Sequence, residues 1–355
     1  VRILQPKIAD SVGVDPDTTE AAALAHDLGH PPFGHLAEEA LDELATRAGL
    51  EDGFDGNAQS FRIVTRLALR SRDSNGLNLT RATLNAILKY PWLRGKGPYK
   101  DKWGAYETER EYFLWARSGD ISDQRKAVEA EIMDWADDVT YAVHDMSDFF
   151  RAGLIPLDRL ASRHDDSARQ RFFEEVFKRD GDKLTRDFSS SELKERFTDI
   201  VTLFPFDQPY AGTNEHRARL RQQSSGLIGT YVAALQLREP KDASDRTVTI
   251  DPAARNEVAM LKQLTWHYVI LNPSLATQQY GQRRLVQALF GSLRDAAIQD
   301  NHTVFPYAIR DELSKKPAKE GVTRLVVDYI ASMTERQAHS LFLKLTGSSP
   351  GSAIH

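Results

Sequence analysis

The chain contains no cysteine, which excludes disulfides and thiolate metal sites and leaves histidine and the carboxylates as candidate ligands for a metal ion. That composition fits a cytosolic protein, and cytoplasmic placement is the expectation. Also missing is any apolar run approaching the roughly 20 residues a membrane helix needs, and there is no internal repeat. Charge of either sign is hardly in excess: 46 Lys and Arg against 51 Asp and Glu give a net charge of −5. Such a surface offers no bulk attraction to nucleic acid, so an anionic substrate must be drawn by a local basic site. What is plentiful is core material, since 41% of the 355 residues are hydrophobic, enough for one large domain or two.

Against this background one stretch stands out. Three of the ten histidines fall within Ala25-His26-Asp27-Leu28-Gly29-His30-Pro31-Pro32-Phe33-Gly34-His35-Leu36-Ala37-Glu38-Glu39. The preceding Glu20-Ala21-Ala22-Ala23-Leu24-Ala25 consists of good helix formers, and Gly29 with Pro31-Pro32 ends that helix within about a turn of His26. Neighbours on a helix point about 100° apart, so His26 and Asp27 could ligate one ion only if it lies between their directions, with a further ligand from another segment. A new helix is expected after Pro32, and on it His35 and Glu38, three residues apart, share a face. A carboxylate so placed fixes the imidazole tautomer and raises its basicity, as a general acid or base requires.

Two further segments carry polar chemistry. Residues 131–148 read as one helix with Asp137, Tyr141 and Asp145 along a single stripe beside apolar Ile132, Met133, Ala136, Val139 and Val143. Carboxylates mixed so closely with apolar residues need a cation or donors. Residues 92–106 interleave Arg94, Lys96, Lys100 and Lys102 with Trp92, Tyr99, Trp103 and Tyr106 on a glycine-containing loop, a composition that suits a triphosphate and a base. Elsewhere helices are expected over residues 58–69, 80–90 (ended by Pro91), 156–200, 256–270, 278–290 and 325–345, with a short strand or hairpin edge at 246–250 and a frayed tail from 347.

With these segments in hand, the chain resembles the HD-domain metallohydrolases, and within them the deoxynucleoside triphosphate triphosphohydrolases, the dGTPase-like family. Besides His26-Asp27, the resemblance rests on Gly53-Phe54-Asp55-Gly56-Asn57-Ala58-Gln59, Gly76-Leu77-Asn78-Leu79-Thr80-Arg81, Lys89-Tyr90-Pro91-Trp92, Ala136-Asp137-Asp138-Val139-Thr140-Tyr141 and Asp328-Tyr329-Ile330-Ala331-Ser332-Met333-Thr334, in the family's order. It implies an all-α fold: an HD-domain helical core with additional peripheral helices and at most a short β-hairpin. Residues 1–150 would form the metal and catalytic core, and residues 151–355 a helical region completing the core, the nucleotide pocket and the subunit contacts.

The resemblance implies that His26, Asp27 and Asp137 are metal ligands and that His35 with Glu38 is the catalytic pair. It places Tyr141 and Asp145 at the sugar, Lys89, Tyr90 and Lys102 at the triphosphate, and Asn57 at the nucleotide. The family carries a further histidine ligand on a preceding helix. No histidine stands between Val1 and His26, so either the site is incomplete or that ligand lies upstream of Val1; the latter is the expectation, with the sequence beginning inside its helix, because residues 8–16 read as a helix end, and His30 could substitute for it only if the loop folds back. The implied activity is metal-dependent hydrolysis of a dNTP, dGTP among them, to deoxynucleoside and inorganic triphosphate. Mn²⁺ or Mg²⁺ is the expected ion, with Co²⁺, Ni²⁺ and Fe²⁺ also suited to imidazole and carboxylate. Expected partners are the dNTP and further copies of the chain, as a dimer or hexamer, together with an allosteric nucleotide and weak single-stranded nucleic acid binding. Three other readings share some of these residues: another HD phosphohydrolase (a nucleotide 5′-phosphatase or nuclease), a catalytically weak nucleotide sensor, and a helical scaffold.

Overall fold

The structure, a computed structural model, describes residues 14–120, 122–185, 188–238 and 248–347. Of the sequence expectations, those at Val1 and upstream of it, the helix end at residues 8–13, the strand residues 246 and 247 and the tail from 348 lie outside these. Among the described residues the fold is helical, with one two-stranded antiparallel hairpin, and groups into two compact units: residues 17–130 with those from 277 onward, and residues 131–276 with 14–16. Among the described residues no helix is long and apolar enough to cross a membrane.

The first unit is organised around the helix His35–Arg47, whose Ala37, Ala40, Leu41 and Ala45 recur at helical spacing and are buried. That stripe packs with Leu285, Val286, Leu289, Phe290 and Leu293, and with Val326, Val327 and Ile330 from the helix Lys319–Ala331. Burying such side chains is worth about 1.5–3 kcal/mol each. A second apolar cluster joins Ala22 and Ala25 of the helix Pro16–Ala25 to Phe61, Val64, Leu84, Ile87, Leu93 and Phe113.

Three sequence expectations are refined here. The helix foreseen over residues 80–90 spans Arg81–Ile87 only, because the residue before Pro91 disfavours helical geometry and the chain bends ahead of it. Residues 58–69 contain the helix Gly56–Arg62 followed by a wider π-helical turn, Ile63–Leu67. The stretch 325–345 is two helices, Lys319–Ala331 and Glu335–Leu345, since Thr334 accepts from the Gln337 N–H while the Gln337 side chain accepts from the Thr334 N–H, a capping box that starts a new helix.

A buried charge network ties the first unit's distant segments. Arg62 Nε and Nη2 donate to Asp328 at 3.0 and 2.8 Å, and Nη1 donates to Glu109 Oε1 at 2.6 Å. Gln59 Nε2 also donates to Asp328, at 2.9 Å, and Arg66 Nε lies 3.0 Å from Glu109. Arg62, Glu109, Gln59 and Asp328 are all buried.

In the second unit the helix Ser190–Thr202, opened by a Ser189/Glu192 capping box, packs against Pro252–Thr265. Phe172 stacks on Phe197 at 4.9 Å. Strands β1 (Leu235–Leu237) and β2 (Val248–Ile250) pair with Leu235 opposite Ile250. The expected single helix over 131–148 is interrupted: the helix Val128–Thr140 runs into a π-helical turn, Tyr141–Asp145, before Met146–Arg151 resumes α geometry. The wider turn rotates Asp145 off the Asp137–Tyr141 line that a regular helix would give.

Removing one partner of a buried, hydrogen-bonded ion pair leaves an uncompensated charge and costs about 3–5 kcal/mol. Asp328→Ala is therefore expected to lower unfolding stability by that order in a denaturant titration, and Arg62→Met, which strands both Asp328 and Glu109, by at least as much. A loss within experimental error of zero in either variant would contradict the network's role.

Candidate active site

The helix Pro16–Ala25 ends just before His26, and residues 26–29 form a turn. Because the pair lies past the helix end, their side chains are not splayed: His26 Nε2 and Asp27 Oδ2 approach to 3.0 Å. The turn is pinned from below. Gly29 N–H donates to Ser60 Oγ at 2.9 Å, and Ser60 Oγ donates to the His26 carbonyl at 2.7 Å. A Cβ on Gly29 would stand 2.2 Å from Ser60 N, so only glycine lets the two backbones come this close.

The loop does fold back. His30 N–H donates to the Asp27 carbonyl at 3.2 Å, and His30 Nε2 lies 3.3 Å from Asp27 Oδ1. Phe33 and Gly34 both adopt positive φ, 70° and 60°, reversing the chain so that the next helix starts at His35. For phenylalanine that conformation is uncommon and strained.

On the new helix His35 Nδ1 lies 2.8 Å from Glu38 Oε2. With the ionised carboxylate accepting, Nδ1 carries the proton and Nε2 is the basic nitrogen of the neutral ring. Glu38 is buried, while the His35 side chain is 67% exposed. The second oxygen, Oε1, accepts from Gly56 N–H at 2.6 Å and lies 3.4 Å from Lys102 Nζ. Burial alone would raise the Glu38 carboxyl, but His35, the charges of Lys102 and His30, and the Gly56 N–H outweigh it and bring it down to about 2. Asp27 behaves alike: burial acts upward, and its contacts with His26 and His30 hold it well below the usual carboxylate range.

Lys102 also lies 3.7 Å from Asp55 Oδ2. Asp55 caps the helix Gly56–Arg62, its Oδ1 accepting from Asn57 N–H at 2.7 Å and Ala58 N–H at 3.2 Å. Burial first, and then the charge of Glu38, push its carboxyl up to about 6.

Of the residues singled out from sequence, the first unit thus brings together His26, Asp27, His35, Glu38 and Lys102. Asn57 is tied to the cap, its Nδ2 donating to Asp55 Oδ1 at 3.0 Å. Lys89 and Tyr90 are half-buried, and the Tyr90 ring meets Trp92 at 5.6 Å and Tyr99 at 6.1 Å. Asp137, Tyr141 and Asp145 belong to the second unit: Asp137 is half-buried, Tyr141 is exposed in the π-helical turn, and burial, then the nearby Asp148, raises the Asp145 carboxyl. The further histidine ligand expected upstream of Val1 falls outside the described residues, which begin at Val14. His30 and Asp55 enter the site without having been assigned to it. The signal for Asp55 was Asp-Gly-Asn ahead of a helix, a capping pattern; His30 depends on a chain reversal that residue pattern alone does not disclose.

His26 and Asp27 offer an imidazole nitrogen and a carboxylate oxygen converging on one side of the turn, a donor pair that fits a divalent ion of hard-to-intermediate character. Beside them stands an oriented imidazole able to move a proton.

Because its folded-state pKa is raised above that of the unfolded chain, Asp55 contributes stability below about pH 4 that is lost as the pH rises through about 6. Asn also caps helices well. Asp55→Asn should therefore gain in melting temperature relative to the parent as pH goes from 4 to 7; a difference that does not vary with pH would refute the buried-charge reading.

Comparison with known proteins completes the picture. Residues 4–142 match the family model of the HD domain, and residues 248–344 match that of the phosphohydrolase-associated domain. A deoxyguanosinetriphosphate triphosphohydrolase-like protein of Streptomyces coelicolor is 36% identical over 96% of this chain and 80% of its own length. Proteins of the same description from Corynebacterium efficiens and Bifidobacterium longum are 35% and 30% identical, over 96% and 94% of this chain and 80% and 72% of theirs.

Proposed function

The chain belongs to the deoxyguanosinetriphosphate triphosphohydrolase-like family of HD-domain proteins, and from that membership we propose that it is a metal-dependent hydrolase converting a dNTP, dGTP among them, to deoxynucleoside and inorganic triphosphate. The observation that carries the reading is the His35–Glu38 pair, held by Gly56 and Lys102 beside the His26–Asp27 turn.

In this reading His26 and Asp27 hold the ion, and the family resemblance adds Asp137 as a further ligand. A divalent ion, Mn²⁺ or Mg²⁺ first, supplies Lewis acidity at the α-phosphate. The chain's own groups do the rest. Lys102, with Lys89 and Tyr90, neutralises and orients the phosphate tail, so that the α-phosphorus is presented to water. Water gives a proton to His35 Nε2 as its oxygen bonds to phosphorus, the bond from phosphorus to the 5′ oxygen breaks, and the departing oxygen takes that proton from the imidazolium. His35 moves that proton, and Glu38 keeps the imidazole in the tautomer and orientation required. By the same resemblance Asn57 contacts the nucleotide, while Tyr141 and Asp145 meet the sugar, where a tyrosine packed on C2′ leaves no space for a ribose hydroxyl. Assembly into dimers or hexamers, with an activating nucleotide, belongs to the same reading.

The reaction is tested by incubating the purified protein with each dNTP and Mn²⁺ and separating the products by chromatography. Deoxynucleoside with intact triphosphate is expected; orthophosphate release would indicate a different phosphohydrolase. His35→Ala should retain nucleotide binding and lower turnover by a factor of about 10² to 10⁴, so unchanged turnover sinks its assignment. Tyr141→Ala should narrow the preference for dGTP over GTP in competition assays, and equal selectivity in parent and variant removes it from the sugar site.

A further inference from the structure

We propose a second cation site in the first unit: His30, His35 and Glu38 take up a borderline divalent ion of the Zn²⁺ type, and its arrival withdraws the His35–Glu38 pair from proton transfer. One ligand atom from each of the three lies within 4.8 Å of the other two, and the two rings stand edge to face with centroids 5.6 Å apart. Two imidazoles and a carboxylate form a donor set used for zinc where a fourth position stays open. The exposed flank of His35 supplies that opening.

The donors are also supported from behind as ligands of an ion need to be. Glu38 Oε1 is occupied by the Gly56 N–H, so Oε2 is the oxygen turned to the imidazoles, 2.8 Å from His35 Nδ1 and 3.8 Å from His30 Nδ1. His30 rests its Nε2 on Asp27, leaving Nδ1 for an ion, and a carboxylate on the far nitrogen is the usual outer partner of a ligating histidine. Gly56 makes the approach sterically feasible, since a Cβ there would stand 2.4 Å from His30 Nδ1. His35 ligates through Nδ1, so the proton shared there with Glu38 leaves as the ion arrives; metal–nitrogen bonds of about 2.0–2.1 Å set tetrahedral ligands about 3.3 Å apart, so the His35–Glu38 contact opens by about half an ångström and the 3.8 Å His30–Glu38 separation closes by about as much.

Charge decides which ion wins. Lys102 Nζ, 3.4 Å from Glu38 Oε1, opposes any cation here. A hard ion such as Mg²⁺, which gains little from nitrogen donors, is excluded, whereas Zn²⁺, Co²⁺ or Ni²⁺ gains two imidazoles.

The binding itself stands apart from the hydrolase reading; only its inhibitory consequence rests on it. The test titrates the untagged full chain, stripped of metal, with Co²⁺ and with Zn²⁺, following cobalt d–d absorption and equilibrium dialysis. Two classes of bound ion are expected. His30→Gln, and independently His35→Gln, should weaken the second class by more than about 10-fold, with the first class kept in His35→Gln, while His26→Ala should weaken the first and keep the second, each variant being checked for native helicity by circular dichroism. A single class in the parent, or a second class intact in both the His30 and His35 variants, overturns the site. With Mn²⁺ present, added Zn²⁺ should suppress dNTP turnover in the parent; undiminished turnover at saturating Zn²⁺ refutes the inhibitory role. If no metal gives turnover but both classes bind, the cation site stands and the inhibitory role falls with the hydrolase reading.

Discussion

The guanidinium of Arg62 is the point on which the rest of the first unit hangs. Its grip on Glu109 and Asp328 joins three segments far apart in the chain, and it sits at the end of the short helix whose other residues do the positioning. Ser60 and Gly56 of that helix hold the His26–Asp27 turn and Glu38 respectively. A buried ion pair is no bargain in stability compared with well-packed apolar side chains. Its value here is registry: a planar fork with two carboxylates on defined sides admits one rotation of the helix, and an apolar contact would admit several.

The chemistry of the site follows from how two neighbouring carboxylates are treated. Glu38 receives an imidazole and a backbone donor and stays ionised; Asp55, buried nearby with its charge opposed by Glu38, is pushed the other way. Lys102 lies between them. Environments that separate like groups in this way let one serve as a fixed negative partner for a histidine while the other serves the backbone as a cap.

Much of this was legible in the sequence. The His35–Glu38 spacing on a helix start, the helix ending beside His26 and the mainly helical fold all follow from local rules about caps, prolines and three-residue offsets. What was not legible depends on non-local packing. The convergence of His26 and Asp27 requires their turn to rest on Ser60, more than thirty residues away. The inclusion of His30 requires Phe33 to accept an unfavourable backbone conformation. The π-helical turn at Tyr141–Asp145 escapes any pattern argument that assumes 3.6 residues per turn, and it displaces the very stripe such an argument constructs.

The contact between Gly29 and Ser60 has a consequence for how such a protein can change. With no side chain on Gly29 and only the short Ser60 hydroxyl linking the two backbones, the ledge that carries the His26–Asp27 turn has little that substitution can lengthen or tilt by degrees. The loop around Lys102, with exposed Tyr99 and Lys100 nearby, is built of side chains and open to replacement. Variation on this scaffold is therefore to be sought in that loop, where one residue can be exchanged without disturbing the turn.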